Sequence, residues 1–200
     1  MNTGYTEQKF IEPNTIILGD CLDVMKNIPS SSIDMILCDP PFGSTTCSWD
    51  IIIPFDKLWL EYNRIIKPNG AILLFGTEPF SSMLRLSNLD MYRYDIIWDK
   101  MATTNFANAK KMPLSVYENI SVFYKKLPTY NPQKTYGHKP INSYTKRASV
   151  QNKTELYGEV KEDVSGGGET DRYPRSVLLF ASDKQIMKNT PFLHPMQKPL

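Results

Sequence analysis

The chain has 200 residues, 41% hydrophobic and 22% charged, an ordinary composition for a globular protein that can bury one substantial core. No apolar run approaches the roughly 20 residues that span a bilayer, and no signal-like segment is recognisable, so we expect a cytoplasmic protein. The formal net charge of +2 conceals a basic segment, residues 99–153, with 10 Lys or Arg against 2 acids, beside 13 against 19 in the remaining residues. This pattern is typical of a protein that meets a polyanion.

The first elements follow one another closely. Residues 15–20 form a β-branched run that ends in Gly-Asp and predicts a short strand. A brief helix is predicted at 21–28, with Leu22 and Met25 on its apolar face. The continuous apolar run 33–38 predicts a buried strand.

The tetrapeptide Asp39-Pro40-Pro41-Phe42 comes directly after that strand. Open α/β sheets bind ligands outside the carboxyl ends of their strands, so an acid and an aromatic at this place suggest a site. The two prolines have no N–H and disfavour a helix, which leaves the preceding carbonyls free to accept hydrogen bonds. The alternative is a strand-ending turn in which Asp39 caps local backbone and Phe42 packs into the core.

Further elements alternate in the manner of an α/β sheet. An amphipathic helix is predicted from Pro54 to Ile66, a buried strand at 71–76 and a helix at 78–87. A strand at 92–98 follows, and the run 120–124 is expected to pair antiparallel with it and to close the sheet edge.

Periodicity is lost between residues 125 and 170, where prolines, tyrosines, lysines and three consecutive glycines dominate. We therefore divide the chain into a catalytic half at 1–124, a recognition lobe at 125–171 and a return to the catalytic domain at 172–200. The basic segment begins before the lobe, near residue 99.

The three cysteines form no CxxC pair and have no nearby histidine, so we expect no metal site. An odd and sparse cysteine count suits a reducing compartment.

Four motifs together carry a family resemblance. In chain order they are Gly19-Asp20-Cys21, Asp39-Pro40-Pro41-Phe42, Trp98-Asp99-Lys100 and His194-Pro195-Met196-Gln197-Lys198-Pro199. In these motifs the chain resembles the front part of bacterial and phage DNA amino-methyltransferases of the β class, over residues 15–125 and 172–200. The resemblance implies an α/β fold, a Rossmann-like S-adenosylmethionine-dependent methyltransferase sheet with an inserted target-recognition lobe.

The resemblance also implies a reaction: transfer of a methyl group from S-adenosylmethionine to the exocyclic amine of a flipped adenine in double-stranded DNA. Asp39 and the Pro40 carbonyl would accept the two amine N–H bonds, Pro41 would complete the rigid motif, and Phe42 would stack on the base. An acid at the first position favours adenine, while a cytosine amine remains an alternative. RNA and protein-amide methylases of this kind begin the motif with Asn, so Asp39 argues against those acceptors.

The resemblance assigns the cofactor to residues at both ends of the chain, namely Asp20, Cys21, Asp39, His194, Gln197 and Lys198. Asp20 has a second role open to it as the N-cap of the helix at 21–28. For His194, Gln197 and Lys198 the alternative is an ordinary proline-rich loop.

The basic segment is the expected DNA-binding region. The candidates for phosphate contact are Lys110, Lys111, Lys134, Lys139, Lys146 and Arg147, and Tyr130, Tyr136 and Tyr144 could stack on bases. The alternative is a solvated charged face.

The Phe-x-Gly-x-Gly cofactor loop of the family does not occur in these 200 residues. Three explanations are open: a longer enzyme, a second polypeptide that completes the fold, or a DNA-binding remnant without a cofactor. The sheet is then expected to be incomplete at its C-terminal side, with open apolar faces and a product that aggregates or needs a partner when expressed alone. A homodimer is also left open. We expect the protein in a bacterial or phage-infected cell, as part of restriction-modification.

Overall fold

A computed structural model describes residues 11–141, 144–146 and 164–180, without the side chains of 144–146 and 164–166. The chain divides into two compact units, one with the described residues up to Thr129 and from Ser176 onward, the other Tyr130–Arg175. The helices are α1 (Cys21–Met25), α2 (Phe55–Ile65) and α3 (Phe80–Leu86), besides a short 3-10 helix at Phe106–Asn108. The strands are β1 (Ile33–Cys38), β2 (Ile66–Gly76), β3 (Tyr92–Thr104), β4 (Ser115–Phe123), β5 (Tyr144–Lys146), β6 (Val164–Gly166) and β7 (Val177–Leu179).

The first unit is built on a mixed five-stranded sheet in the order β1-β2-β4-β3-β7. Strand β4 runs antiparallel to both of its neighbours, whereas β1, β2, β3 and β7 share one direction. The α/β prediction and the antiparallel pairing of β3 with β4 are confirmed. The prediction that this strand closes the sheet edge is wrong, because β4 lies between β2 and β3. Its last five residues are all buried, which suits a strand with neighbours on both sides.

One face of this sheet carries the core. Leu58, Trp59 and Tyr62 of α2 are buried with Leu74 and Phe123 of the sheet. The helix begins after Pro54 as predicted, since proline suits the first turn and the apolar residues recur at helical spacing.

Helix α2 ends one residue before the predicted end. Ile66 has extended backbone, with φ −71° and ψ 139°, and begins β2. The residues ahead of Pro68 are disfavoured in a helix, which explains why the strand starts here and not at residue 71.

Helix α1 is shorter than the predicted 21–28. The Arg64 guanidinium accounts for this, because it donates to the carbonyl oxygens of Met25 at 2.6 Å and Ile28 at 2.7 Å and so fixes the chain as it leaves the helix. Pro29 follows at once and cannot continue a helical ladder.

The opposite face of the sheet is open at β1. Ile36 and Cys38 pack on the core, while Met35 and Leu37 point the other way and are each 56% exposed. Strand β1 is also the last strand on its side among the described residues. The expected open apolar face is therefore present in the described part of the chain, while aggregation stays a prediction.

The predicted strand at 15–20 does not form. Ile16 is fully exposed, at 100%, and Leu18 is 92% exposed. An isolated apolar run has no partner for its backbone groups, and a strand needs such a partner to be stable.

The second unit contains a small antiparallel pair, β5 with β6, and a bridge between Thr135 and Arg172. The Arg172 guanidinium donates to the carbonyls of Glu169 at 3.1 Å, Asp171 at 2.6 Å and Lys139. The lobe that the sequence predicts to be rich in loops thus contains one pair of short strands, and guanidinium hydrogen bonds from Arg172 connect its loops. Within the described residues, no helix has the length and apolar character that a membrane span requires.

Candidate active site

The ends of three parallel strands bring the candidate residues to one edge of the sheet. Asp39 directly follows β1, whose last residue, Cys38, pairs with Leu74 of β2. Across β4, Gly76 at the end of β2 is level with Ile97 of β3, so Trp98 lies beyond it toward the same edge. Ligands of open α/β sheets bind at this edge.

The tetrapeptide is half in the core and half outside it. Asp39 is exposed, Pro40 is buried and Phe42 is partly buried. The Phe42 ring lies 5.1 Å from the ring of Phe80, the first residue of α3, with the planes 36° apart. Phe80 in turn contacts Phe55 at 5.8 Å. Phe42 thus has the packing contact of the alternative interpretation, and its place at the strand end keeps base stacking open.

The start of α1 lies beside this strand end. Asp20 caps α1, with the Leu22 amide donating to Asp20 Oδ1 at 2.8 Å, so the N-cap prediction is confirmed. Burial first, then the charge of Asp20 and the nearby Cys38, raise the pKa of the Cys21 thiol. Since Cys38 contributes to the raised pKa of Cys21, the two side chains lie near each other. The candidate cofactor residues Asp20 and Cys21, at the start of α1, are therefore close to the residue that precedes Asp39.

A buried tyrosine supports the same corner. Burial is the main reason that the pKa of Tyr62 is raised, and the neighbouring Cys38 thiol contributes in the same direction. Burial likewise raises the pKa of the Cys38 thiol, with a smaller contribution from Asp39. The Cys21 and Cys38 thiols therefore remain protonated at neutral pH, so neither is an activated nucleophile.

The loop after the tetrapeptide is closed by Asp50, a residue that the sequence analysis missed. Asp50 Oδ1 accepts from the Gly43 amide at 2.9 Å. Its Oδ2 accepts from both the amide and the hydroxyl of Thr45, each at 2.7 Å. The Thr45 hydroxyl first, and then these amides and that of Ser44, hold the pKa of Asp50 at about 2 although burial opposes this. The sequence does contain a signal for this role, a single acid in a loop rich in Gly, Ser and Thr. An Asp side chain in such a loop commonly accepts hydrogen bonds from nearby backbone amides.

Polar residues inside the apolar strands form a second group that the sequence analysis missed. Asp95 accepts from Ser121 at 2.7 Å and is paired with Arg85, which is also paired with Glu78. This network joins α3 to β3 and β4. Because Phe80 begins α3, the network also supports the residue on which the Phe42 ring packs.

The DNA-binding candidates are divided between the two units. Lys110 and Lys111 are exposed just after the 3-10 helix of the first unit, and Lys139 is exposed in the second. Lys134 is paired with Asp171 at 2.7 Å, and its Nζ lies 4.3 Å from the centre of the Tyr173 ring. The Lys134 ammonium is therefore already engaged by two residues of its own lobe.

Other candidates are described only in part. Tyr130 and Tyr136 are 64% and 76% exposed. Lys146 and Tyr144 lie in β5 with their side chains outside the description. Arg147, His194, Gln197 and Lys198 lie outside the described residues altogether.

Comparison with known proteins relates the chain to one group of enzymes. It is 33% identical over 135 residues to the type II methyltransferase M.HinfI of Haemophilus influenzae, covering 50% of this chain and 37% of that protein. It is 30% identical over 143 residues to the DNA adenine methyltransferase YhdJ of Escherichia coli (strain K12), covering 65% of this chain and 48% of that protein. The matched region thus spans less than half the length of these relatives. No protein-family model matches the chain.

Two solved structures show a more distant likeness. The M1.HpyAVI–SAM complex is 19% identical with a TM-score of 0.42, covering 56% of this chain and 54% of that one. The PvuII DNA methyltransferase, cytosine-N4-specific, is 12% identical with a TM-score of 0.47, covering 89% and 64%. At this distance the sequence relatives alone define the relationship.

Proposed function

Because the chain is related in sequence to bacterial DNA methyltransferases, we propose that it forms part of an enzyme that transfers a methyl group from S-adenosylmethionine to the exocyclic amine of adenine in double-stranded DNA. The observation that carries the proposal is the position of Asp39-Pro40-Pro41-Phe42. It lies at the carboxyl end of β1, beside Asp20 and Cys21 at the start of α1. One relative is named an adenine methyltransferase, which favours adenine over cytosine as the base.

The chemistry needs acceptors at the amine. The lone pair of an exocyclic amine is delocalised into the base, so the nitrogen is a poor nucleophile. In our proposal the Asp39 carboxylate and the Pro40 carbonyl accept the two amine N–H bonds and draw the nitrogen toward tetrahedral geometry. Pro40 and Pro41 contribute no competing donor.

Phe42 is proposed to hold the base once it has left the duplex. Extrusion costs a few kcal/mol, and stacking on an aromatic ring contributes about 1–3 kcal/mol in return. The contact between Phe42 and Phe80, with centroids 5.1 Å apart, limits the motion of the ring. A ring held in this way loses little side-chain entropy when a base stacks on it.

The residues at α1 suit the cofactor. One oxygen of Asp20 is used by the helix cap, and its side chain is exposed, so the second oxygen can accept from a ligand hydroxyl or amine. When bound, S-adenosylmethionine supplies the electrophilic methyl group. We propose Asp20, Cys21 and Asp39 as cofactor contacts, together with His194, Gln197 and Lys198 from the family resemblance.

We further propose that the lobe at 125–171 and the basic segment before it recognise DNA. Of the candidate lysines, Lys110, Lys111 and Lys139 are exposed and are proposed to meet phosphates. Lys146 and Arg147 are proposed on their charge alone. Tyr130 and Tyr136 are sufficiently exposed to reach a base.

The open face of β1 is proposed to be covered in the active enzyme. Met35 and Leu37 present an apolar surface on the side of the sheet away from the core. Parallel strands are normally covered on both faces, so either further residues of the same protein or a second chain would complete this layer. Acting on bacterial or phage DNA, the enzyme would work in the cytoplasm.

The experiment measures transfer of labelled methyl groups from S-adenosylmethionine to DNA by the complete natural protein. Asp39→Asn keeps the shape of the side chain and removes its charge, so we expect the rate to fall about 100-fold or more. Asp34→Asn is the matched control on the same strand, because Asp34 is exposed and its carboxylate is paired with Lys67 at 2.7 Å on the surface. This control should transfer at the wild-type rate.

Absence of label on DNA, or full activity in Asp39→Asn, would contradict the proposal. Calorimetry distinguishes the competing DNA-binding remnant, which would bind DNA with a steep salt dependence and release no heat with S-adenosylmethionine.

A further inference from the structure

We propose that Asp50 is a positioning residue for the target-amine motif, acting through the loop at 43–49 to fix the backbone that follows Phe42. The inference rests on the proposed function of Asp39 and Phe42. It assigns a role to a side chain that has no place in the four sequence motifs.

The loop depends on Asp50 for its shape. Residues 43–49 are all exposed, whereas Asp50 itself is 8% exposed. Its two carboxylate oxygens accept one bond from Gly43 and two from Thr45, and its own amide donates to the Cys47 carbonyl at 3.0 Å. An exposed loop has little apolar packing to define it, so these hydrogen bonds set its conformation.

We call the three hydrogen bonds that Asp50 accepts from Gly43 and Thr45 the clamp. Its bond from the Gly43 amide lies next to the motif. The Gly43 amide belongs to the peptide unit that carries the Phe42 carbonyl, so the bond from this amide to Asp50 fixes that peptide plane. Gly43 has a φ of +66°, and a Cβ there would lie 3.0 Å from Ile52 Cγ1. The Gly43 backbone is therefore fixed by its bond to Asp50 at a place where Ile52 leaves no room for a side chain, while the Phe42 ring packs on Phe80.

The clamp requires a carboxylate and not just a polar side chain. Among the described residues no Lys or Arg forms an ion pair with Asp50, so its charge is balanced by N–H and O–H donors alone. Both oxygens must accept. An asparagine has one accepting oxygen and would turn an NH2 group toward another donor, which loses one half of the clamp.

The test uses the complete natural protein, with single-turnover methyl transfer, DNA affinity and thermal unfolding measured in parallel. We expect Asp50→Asn to lower the single-turnover rate on the order of 10- to 100-fold, because a small misplacement of a motif weakens the reacting geometry. DNA affinity should be unchanged. Thr45→Val should lower the rate in the same direction, and Thr45→Ser, which keeps the hydroxyl, should restore it.

The outcomes separate the inference from the proposal beneath it. Wild-type protein that transfers no methyl group would overturn both. An active wild type with an equally active Asp50→Asn, or with Thr45→Ser as impaired as Thr45→Val, would overturn the inference alone. If Asp50→Asn does not fold, the Thr45 pair still decides, since a merely structural role would lower DNA affinity and unfolding temperature along with the rate.

Discussion

Different interactions stabilise the interior of each of the two units of the chain. In the first, Leu58, Leu74 and Phe123 are at most 1% exposed, and apolar packing under the sheet positions the candidate site. In the second, Lys134 is paired with Asp171, and the Arg172 guanidinium joins three carbonyls. Salt screens partly exposed charge pairs, whereas it does not screen apolar packing, which excluded salts even strengthen. Added salt should therefore weaken the second unit more than the first.

The largest expected effect is in the core of the first unit. Phe123 is fully buried, with its ring 4.9 Å from Trp59 and 5.7 Å from Tyr92. We expect Phe123→Ala to lower the free energy of unfolding by about 3–5 kcal/mol, from lost burial and the cavity it leaves. Denaturant unfolding followed by tryptophan fluorescence measures this.

Phe106→Ala is the control for this change, because Phe106 is 68% exposed. It should unfold like the wild type. Equal losses in the two variants would break the comparison, since they would show that burial under the sheet is not what holds the first unit.

An intermediate effect is expected at Asp95. This carboxylate is partly buried, bonds Ser121 at 2.7 Å and is paired with Arg85. Asp95→Asn removes hydrogen bonds to a charged group, so we expect a loss of about 1.5–3 kcal/mol in the free energy of unfolding. Asp23→Asn, in the exposed pair with Lys26, should leave unfolding unchanged. A loss at Asp23 as large as that at Asp95 would contradict this prediction.

The smallest effect is expected in the lobe, and it depends on pH. The hydrogen bond from Lys134 lowers the pKa of Asp171 below its ordinary value of 3.8, and the same bond raises the pKa of Lys134 above 10.5. The carboxylate contribution is therefore full above pH 3.8 and lost as the pH falls through the folded pKa. The ammonium contribution is full below pH 10.5 and lost above it.

Hydrogen exchange at the Thr135 amide, which donates to the Arg172 carbonyl at 3.0 Å, measures this. Protection should stay constant from neutrality down to pH 3.8 and fall as the pH is lowered further, through the folded pKa of Asp171. In Asp171→Asn it should be low throughout and independent of pH. Protection that is pH-independent in the wild type would show that the lobe does not rely on this pair.

Local patterns in the sequence were sufficient for part of the fold. The apolar spacing after Pro54 predicted α2, because the residues that form one face of a helix recur within a dozen positions of the sequence. The apolar run before Asp39 predicted β1 for a similar reason, but the prediction that this strand is buried is wrong, because its residues are all intermediate or exposed. With these two elements, the position of the tetrapeptide at a strand end followed directly.

What the sequence did not show depends on distant partners. The run at 15–20 has strand composition but pairs with no strand in the part of the chain that the structure describes. The place of β4 in the sheet is decided by β2 and β3 together. The sequence predicted that Lys134 contacts phosphate. It could not show that Lys134 is paired with Asp171 of the same lobe, because the two residues are 37 positions apart.

The position of β4 between β2 and β3 also has a consequence for the order of folding. Strand β3 is made before β4, yet of these two strands only β4 pairs with β2, so β3 joins the sheet through β4 after β4 has left the ribosome. The local β3–β4 hairpin has the lower loop-closure cost and should form first. Pulse-labelled exchange would then protect amides of β3 and β4 before those of β2. During synthesis, the edge of β2 waits unpaired for a strand encoded about forty residues later.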